Sequence, residues 1–248
     1  MSLHAIVLAA GKGTRMKSDL AKVLHQAAGR SLLDWSLSAL GLLELESIAV
    51  VVGHQAAAVT ASIADHELAP LVATALQAEQ LGTGHAAAVG LSALQVDDAD
   101  TVVVIPGDMP LLRAVTLRTL LDEHAATDAV AMVATARMDD PFGYGRIRRD
   151  GDRVTAIVEQ ADASPEIAAI DEVNTSVYTF QAGALRDLVG RLDTANAQGE
   201  QYLTDVVSML TAAGERVGGF LIDVEEAFGV NSVDQLEAAA QILAARTA

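Results

Sequence analysis

The chain has only three lysines, Lys12, Lys17 and Lys22, and all fall within one eleven-residue stretch that also carries Arg15. They follow a short apolar run, Ala5 to Ala10, and straddle a turn of small residues, Gly11 to Thr14. Ammonium and guanidinium groups gathered there are chemistry for an anion. Gly11 and Gly13 permit positive φ and let backbone N–H groups approach a ligand with no Cβ in the way. The alternative is a strand-to-helix turn whose charges are merely solvated.

Two later stretches add chemistry of other kinds. In QAEQLGTGHA, residues 77 to 86, amides, a glycine turn and a hydroxyl precede a helical pattern, a set able to hydrogen-bond a flat polar base and its ribose. The same stretch also reads as a plain loop with a helix start at Thr83, His85 being surface or core. In IPGDMPLL, Asp108 lies between two prolines at the end of an apolar run. A lone carboxylate there can hold Mg²⁺, which takes oxygen ligands together with substrate phosphates, or it can cap a turn. The six histidines show no HExxH spacing, so no zinc site is expected, and the absence of cysteine excludes thiolate chemistry.

The charge balance narrows the partners. With a formal net charge of -17, the chain lacks the basic surface that drives binding to nucleic acid. Against that field, a local cationic loop is a focused anion site. No apolar run approaches the roughly 20 residues of a membrane span, and the N-terminus lacks a basic region followed by an apolar stretch. The expected protein is cytoplasmic, with no nucleic-acid and no membrane partner.

These residues need a frame. Val- and Ile-rich runs at Ala5 to Ala9, Ile48 to Val52, Leu71 to Ala73, Thr101 to Ile105 and Ala129 to Ala134 alternate with helical patterns at Leu32 to Leu42, Ala56 to Ala64, Gly84 to Ala93 and Ala114 to His124. That alternation predicts βαβ units and a mostly parallel sheet flanked by helices. After Pro141 the pattern becomes β-rich. A hairpin (Tyr144 to Arg148, Val154 to Glu159) is followed by a loop from Asp162 to Asp171, then a strand from Val173 to Phe180. Helices at Gly183 to Leu192 and Tyr202 to Ala213 follow, then a strand at Val217 to Leu221 and a last helix from Val233 to about Ala245. No Gly-, Pro- or Ser-rich linker divides the halves, so one α/β domain of 248 residues with two lobes is expected.

Familiar phosphate loops do not fit. The dinucleotide fingerprint fails at Met16, where its third glycine belongs, and the second strand ends in Gly53 and His54 rather than an acid. The Walker spacing is absent as well. Instead, LAAGKGTRM followed by SDLAKVLH resembles the signature of sugar-1-phosphate nucleotidylyltransferases. With DDPFGYGRI, IVEQADA, EVNTSVY, NAQGEQYLTDV and GVNSVDQL in the same order, the chain resembles, over essentially its whole length, the N-terminal uridylyltransferase (pyrophosphorylase) domain of the bacterial bifunctional N-acetylglucosamine-1-phosphate uridyltransferase and glucosamine-1-phosphate acetyltransferase.

The resemblance implies a Rossmann-like nucleotide-diphospho-sugar transferase fold. Its nucleotide-binding lobe would span residues 1–140, its smaller β-rich sugar-binding lobe residues 141–230, and its C-terminal helix residues 231–248, with no left-handed β-helix acetyltransferase domain. It implies Mg²⁺-dependent transfer of UMP from UTP to N-acetylglucosamine 1-phosphate, giving UDP-N-acetylglucosamine for cell-wall precursors, and pyrophosphate. Ala9, Ala10, Gly11, Gln77, Gly82 and Thr83 are then expected to contact the nucleotide, and Lys12 and Gly13 to complete the phosphate loop. Arg15, Lys22 and Asp108 are the expected catalytic residues, with Asp108 and Asn231 as metal ligands. Gly145, Glu159, Asn174, Tyr202 and Thr204 are expected around the sugar. The family's proline before the lysine is Ala21 here, which is expected to loosen the loop, and its glycine or alanine region after Asn174 reads Thr175, Ser176. The same residues suit a nucleotidyltransferase for another sugar 1-phosphate or NTP. A non-catalytic nucleotide-sugar-binding domain ranks last, because Arg15, Lys22 and Asp108 are all present.

Overall fold

In β1 (Leu3–Ala9), Ala5, Val7 and Ala9 pack into one hydrophobic cluster while Ile6 packs into another on the opposite face. Period-two side chains buried on both faces make a central strand, and parallel strands of this kind are covered by helices on either side. A computed structural model describes residues 1–16 and 18–247 and bears this out. Lys17 lies outside the described residues.

A two-residue hairpin, β2 (Gln26–Ala27) and β3 (Arg30–Ser31), leads into α1 (Leu32–Ser38), whose start is capped by the Ser31 hydroxyl accepting from Asp34 N at 3.0 Å. There follow β4 (Leu45–Val52), α2 (Ala56–Ile63), β5 (Val72–Leu76), α3 (Thr83–Ser92), β6 (Thr101–Pro106), α4 (Ala114–Ala125) and β7 (Ala131–Arg137). The second lobe supplies β8 (Arg146–Asp150), β9 (Arg153–Val158), α5 (Pro165–Ala168), β10 (Glu172–Gln181), α6 (Ala182–Val189), α7 (Asp205–Ala212), β11 (Val217–Leu221) and α8 (Val233–Thr247).

Nine strands form one sheet in the order β5-β4-β1-β6-β10-β7-β11-β9-β8. The strands β5-β4-β1-β6 are all parallel, whereas β10 runs antiparallel between β6 and β7, and β9 is antiparallel to both β11 and β8. The sheet is thus parallel in the first lobe and mixed in the second, where a hairpin rather than helical crossovers joins β8 to β9. Residues of α1, α2 and α4 (Leu37, Val59, Leu117) bury against one face, and residues of α3, α6 and α7 (Leu91, Leu185, Val206) against the other. A third cluster packs α8 through Ala239 and Leu243 onto Met16, Leu32 and Leu111. The C-terminal helix therefore buttresses the glycine loop.

The expected elements occur in order, with informative shifts. The third parallel strand begins after a 3₁₀ turn at Ala69–Leu71 that holds Pro70, so β5 runs later than its apolar pattern suggests. The expected loop 162–171 contains the short α5, capped by the Ser164 hydroxyl. The helix expected from Tyr202 begins at Asp205, because the backbone just before it is bonded to the start of α3.

Candidate active site

Beside β1 the strand order reverses, since the chain passes through β4 and β5 on one side and returns to β6 on the other. Open α/β sheets bind ligands at such a point, outside the carboxyl ends of the strands. A cleft of about 530 Å³ lies there. The ends of β1, β5 and β6 supply Ala9, Gln77 and Asp108 to its lining, and the start of antiparallel β10 brings in Asn174.

At one end of the cleft the cations converge. Gly13 has φ +63, and a Cβ there would lie 2.6 Å from the Cβ of Lys22, so this glycine supplies both the turn and the passage for the lysine stem. The Lys22 ammonium is ion-paired with Asp108 and donates to Asn231 Oδ1 at 3.0 Å, an oxygen that also accepts from Arg15 Nη2 at 3.0 Å. Asn231 is oriented for this, because its Nδ2 donates to Gly229 O at 3.1 Å and its N–H to Gln235 Oε1 at 2.7 Å. Val230 N donates to Asp108 O at 3.0 Å, which fixes the two oxygen-bearing residues side by side. The same segment is pinned from behind, where buried Glu226 accepts from Arg113 N and Thr116 Oγ1, each at 2.8 Å. Lys12 is exposed at the edge of the cleft.

Ala21 holds φ -54 and ψ 134, values open to proline, and its N–H donates to Gln55 Oε1 at 2.9 Å. Gln55 Nε2 in turn donates to Asp19 O at 2.8 Å. The loop expected to loosen without its proline is tied by this side chain instead.

The neighbouring wall is a knot of small residues. Gln77 is buried and uses Nε2 toward Gly82 O at 3.0 Å and His85 Nδ1 at 3.1 Å, so its carbonyl oxygen carries neither bond. Gly82 has φ +116, and a Cβ there would meet Gln201 O at 2.5 Å. The close approach lets Gly84 N donate to Gln201 O at 2.8 Å and Leu203 N to Thr83 Oγ1 at 3.0 Å. Thr83 also lines the cleft. Gln80, which motif reasoning quoted but did not assign, also lines it and donates to Ala10 O at 2.7 Å.

At the far end the chemistry is acidic and amide-like. Burial pushes the Glu159 carboxyl above its ordinary range, opposed by the Thr204 hydroxyl donating to Oε1 at 3.0 Å and reinforced by the charges of Asp205, Asp162 and Glu200. Gly145 O accepts from Asn174 N at 2.8 Å. The Asn174 side chain accepts from Ser176 N at 3.0 Å and donates to the Tyr178 phenol at 2.7 Å. Tyr144 bridges the two ends: its phenol is pushed up by burial and then by the charge of Asp108.

The donor set suits a hard divalent cation. Asp108 and Asn231 present only oxygen, and in this structure the Lys22 ammonium already stands between them as a cation. Among the described residues no cluster of three or more His, Cys, Asp or Glu side chains could enclose a metal alone. A divalent metal held by Asp108 and Asn231 would need further oxygen ligands from outside these side chains.

Of the residues expected from sequence, Ala9, Ala10, Gly11, Lys12, Lys22, Gln77, Gly82, Thr83, Asp108, Gly145, Glu159, Asn174 and Asn231 line this one cleft. Arg15 reaches it through Asn231, Gly13 through Lys22 and Thr204 through Glu159. Tyr202 lies behind the wall, buried, with its phenol donating to Gln198 Oε1 at 2.8 Å. Tyr144 lines the cleft and was not singled out; it stands inside a quoted motif, but only the fold turns it inward, while Thr175 and Ser176, noted as a departure after Asn174, line the cleft as well.

Residues 5–178 match the family described as MobA-like NTP transferase domain. The chain is 49% identical over 247 residues to the bifunctional protein GlmU of Pelobacter propionicus, a match covering 99% of this chain and 53% of that protein. It is 49% identical over 241 residues to the GlmU of Streptomyces avermitilis, covering 96% and 50%. The GlmU of Thermobifida fusca is 47% identical over 246 residues, covering 97% and 50%. The chain spans about half the length of the curated relatives it matches. Among solved structures, one from Bacillus anthracis, assigned as a glucose-1-phosphate thymidylyltransferase in complex with sucrose, superposes with a TM-score of 0.77 at 17% identity, over 97% of this chain and 95% of that one. That likeness is one of fold. No helix among the described residues is long and apolar enough to cross a membrane.

Proposed function

The chain belongs to the MobA-like NTP transferase family and fits the N-terminal domain of the GlmU proteins, and from that premise we propose that it transfers UMP from UTP to N-acetylglucosamine 1-phosphate, releasing pyrophosphate. The observation that carries this reading is the convergence of Lys22, Arg15, Asp108 and Asn231 at one end of a cleft whose other end offers Glu159, Gly145 and Asn174. A triphosphate and a sugar phosphate need such a layout, with cations where the phosphates meet and hydrogen-bonding groups where the sugar lies.

In the proposed reaction a phosphate oxygen of the acceptor attacks the α-phosphorus of UTP in line. The new P–O bond forms as the bond to the β-phosphate oxygen breaks, and its electron pair leaves with pyrophosphate. The nucleophile is already anionic, so no general base is required. Transfers of this kind depend mainly on positioning and charge neutralisation. Lys22 exchanges its Asp108 partner for the phosphates, and Arg15 stabilises the leaving pyrophosphate. Gln77 and the backbone of Gly82 and Thr83 orient the base, while Glu159 accepts from sugar hydroxyls. Nucleotidyltransferases of this kind use a divalent metal; here Asp108 and Asn231 would hold Mg²⁺, which supplies further charge neutralisation to the phosphates when bound. In this reading residues 1–140 serve the nucleotide and residues 141–230 the sugar, with α8 (Val233–Thr247) as the buttressing helix.

Pyrophosphate release measured over a panel of four NTPs and several sugar 1-phosphates, with and without Mg²⁺, tests the proposal. The expected result is turnover that requires Mg²⁺ and is highest for UTP with N-acetylglucosamine 1-phosphate. A higher kcat/KM for any other pair overturns the substrate assignment, and no turnover with any pair overturns the activity.

A further inference from the structure

Ser176 is a serine in a backbone conformation that favours glycine. Its φ of +64 lies in the left-handed region, which costs an L side chain energy and is rarely adopted by serine. The position arises from a bulge. Along β10 the pairing with β7 runs from Asn174 opposite Thr135 to Tyr178 opposite Val133, so Thr175, Ser176 and Val177 share the space facing Ala134. Both neighbours of the serine are used by the fold: the Thr175 hydroxyl donates to Ala134 O at 2.7 Å, and Val177 is fully buried in the core. Thr175 and Ser176 both line the cleft, but the Thr175 hydroxyl is engaged with Ala134 O, whereas Ser176 is half-buried, with its N–H held by Asn174 Oδ1 and its hydroxyl close to the Tyr178 phenol. Glycine would relieve the strain and keep every backbone hydrogen bond. What glycine cannot supply is a Cβ and a hydroxyl in the cleft, beside Glu159 and Gly145.

We propose that Ser176 is a specificity-determining residue for the acceptor. Its hydroxyl hydrogen-bonds a polar ring substituent of the sugar 1-phosphate, and its Cβ limits the room around that substituent. The inference rests on the function proposed above, since it requires the acceptor's sugar to lie at the Glu159 end. Strained residues that persist inside a binding cleft are a recognised signature of function traded against stability. The opposing requirements separate cleanly by substitution.

Ser176→Gly is expected to raise the melting temperature and to raise KM for N-acetylglucosamine 1-phosphate about tenfold, the usual consequence of one lost hydrogen bond, while KM for UTP stays within about twofold. Its preference for N-acetylglucosamine 1-phosphate over glucose 1-phosphate and galactose 1-phosphate is expected to fall. Ser176→Ala keeps the strain and lacks the hydroxyl, so it is expected to show the weaker acceptor binding without the gain in melting temperature. A Ser176→Gly enzyme with unchanged acceptor KM and unchanged preference among the sugars overturns the role of Ser176. The two readings fail separately. If wild type turns over a different acceptor best, the substrate assignment falls, and the same variants compared on that acceptor still decide the role of Ser176. If wild type neither turns over nor binds any sugar 1-phosphate by calorimetry, both are overturned.

Discussion

The two ends of the cleft are built on different physics. At the phosphate end Lys22 is paired with Asp108, and Lys22 and Arg15 share Asn231 Oδ1, while Lys12 is exposed at the edge. At the sugar end a carboxylate, Glu159, is held by one hydroxyl and pushed toward neutrality by burial. On the function proposed above, the first arrangement is an exchange site, in which incoming phosphates and metal would replace the Lys22–Asp108 pair by new charge pairs. The second is a positioning site, where the groups stay in place and shape decides what fits. Substitutions at the first should therefore act on turnover, and at the second on acceptor binding.

The largest effect is expected at Lys22. Lys22→Ala removes a preorganised cation from the point where charge develops, and kcat is expected to fall by about a hundredfold to a thousandfold. Asp108→Ala is expected to fall comparably, with far-ultraviolet circular dichroism unchanged in both. Stopped-assay kinetics with both substrates varied would measure this. If either variant lost acceptor binding and kept wild-type kcat, the division between exchange and positioning would be wrong.

Next comes Glu159→Gln, which keeps the acceptor oxygen for Thr204 and removes the charge. KM for the acceptor is expected to rise by roughly ten- to a hundredfold, as for hydrogen bonds to a charged group, with kcat less affected. Stability gives a second readout. Because burial raises the Glu159 carboxyl above its ordinary 4.5, the native state holds that proton more tightly than the unfolded chain. Its contribution is thus full below the ordinary value and lost as pH rises through the raised one. Gln cannot ionise, so the stability of Glu159→Gln relative to wild type should grow with pH across that window and then level off. Denaturant midpoints from about pH 4 to about pH 8 test this, and a constant difference would contradict it. Glu172, in the same lobe, is the control. Burial raises its carboxyl too, but the paired bonds from Arg149 Nε and Nη2, with Thr135 assisting, outweigh burial and lower it. Its contribution is present above 4.5 and lost as pH falls through the lowered value.

The same contrast explains what could be read from sequence. The phosphate end is local: Gly13, Arg15 and Lys22 lie within ten residues, and composition alone marks them because the chain has no other lysines nearby or elsewhere beyond Lys12 and Lys17. The parallel half of the sheet was equally legible, since buried apolar strands alternate with amphipathic helices. The sugar end is assembled from Gly145, Glu159, Asn174 and Thr204, brought together by the β8–β9 hairpin, by β10 and by the segment before α7. No periodicity signals such an assembly, so those residues came through family resemblance. Asn231 stands 209 positions from Lys22, and the contact depends on how α8 and the segment before it dock. Tyr202 shows the opposite error of emphasis, an aromatic in a recognisable motif whose phenol serves Gln198 behind the wall.

Asn231 allows the exchange site to be probed more gently. Asn231→Ala takes away the oxygen shared by Arg15 and Lys22, and kcat is expected to fall about tenfold, the worth of one hydrogen bond to charged groups. Asn231→Asp restores the oxygen with a negative charge, and the Mg²⁺ concentration giving half-maximal rate is expected to drop. An unchanged metal requirement in Asn231→Asp would remove Asn231 from the ligand set.

The smallest effect tests whether the loop that carries Lys22 is held as described. Ala21 has a φ proline can adopt, so Ala21→Pro reduces the freedom of the unfolded chain, worth about 0.4–1 kcal/mol. It also deletes the N–H that donates to Gln55 Oε1, worth about 0.5–1.5 kcal/mol. The two nearly cancel, and stability and turnover are expected to stay within about 1 kcal/mol and about twofold of wild type. The informative quantity is the coupling. Gln55→Ala should be less costly in the Ala21→Pro background than alone, because one of its two loop contacts is already gone while the bond to Asp19 O persists. Equal costs in both backgrounds would mean that Gln55 does not hold Ala21, and that the position of Lys22 owes more to its passage over Gly13 than to the tie from α2.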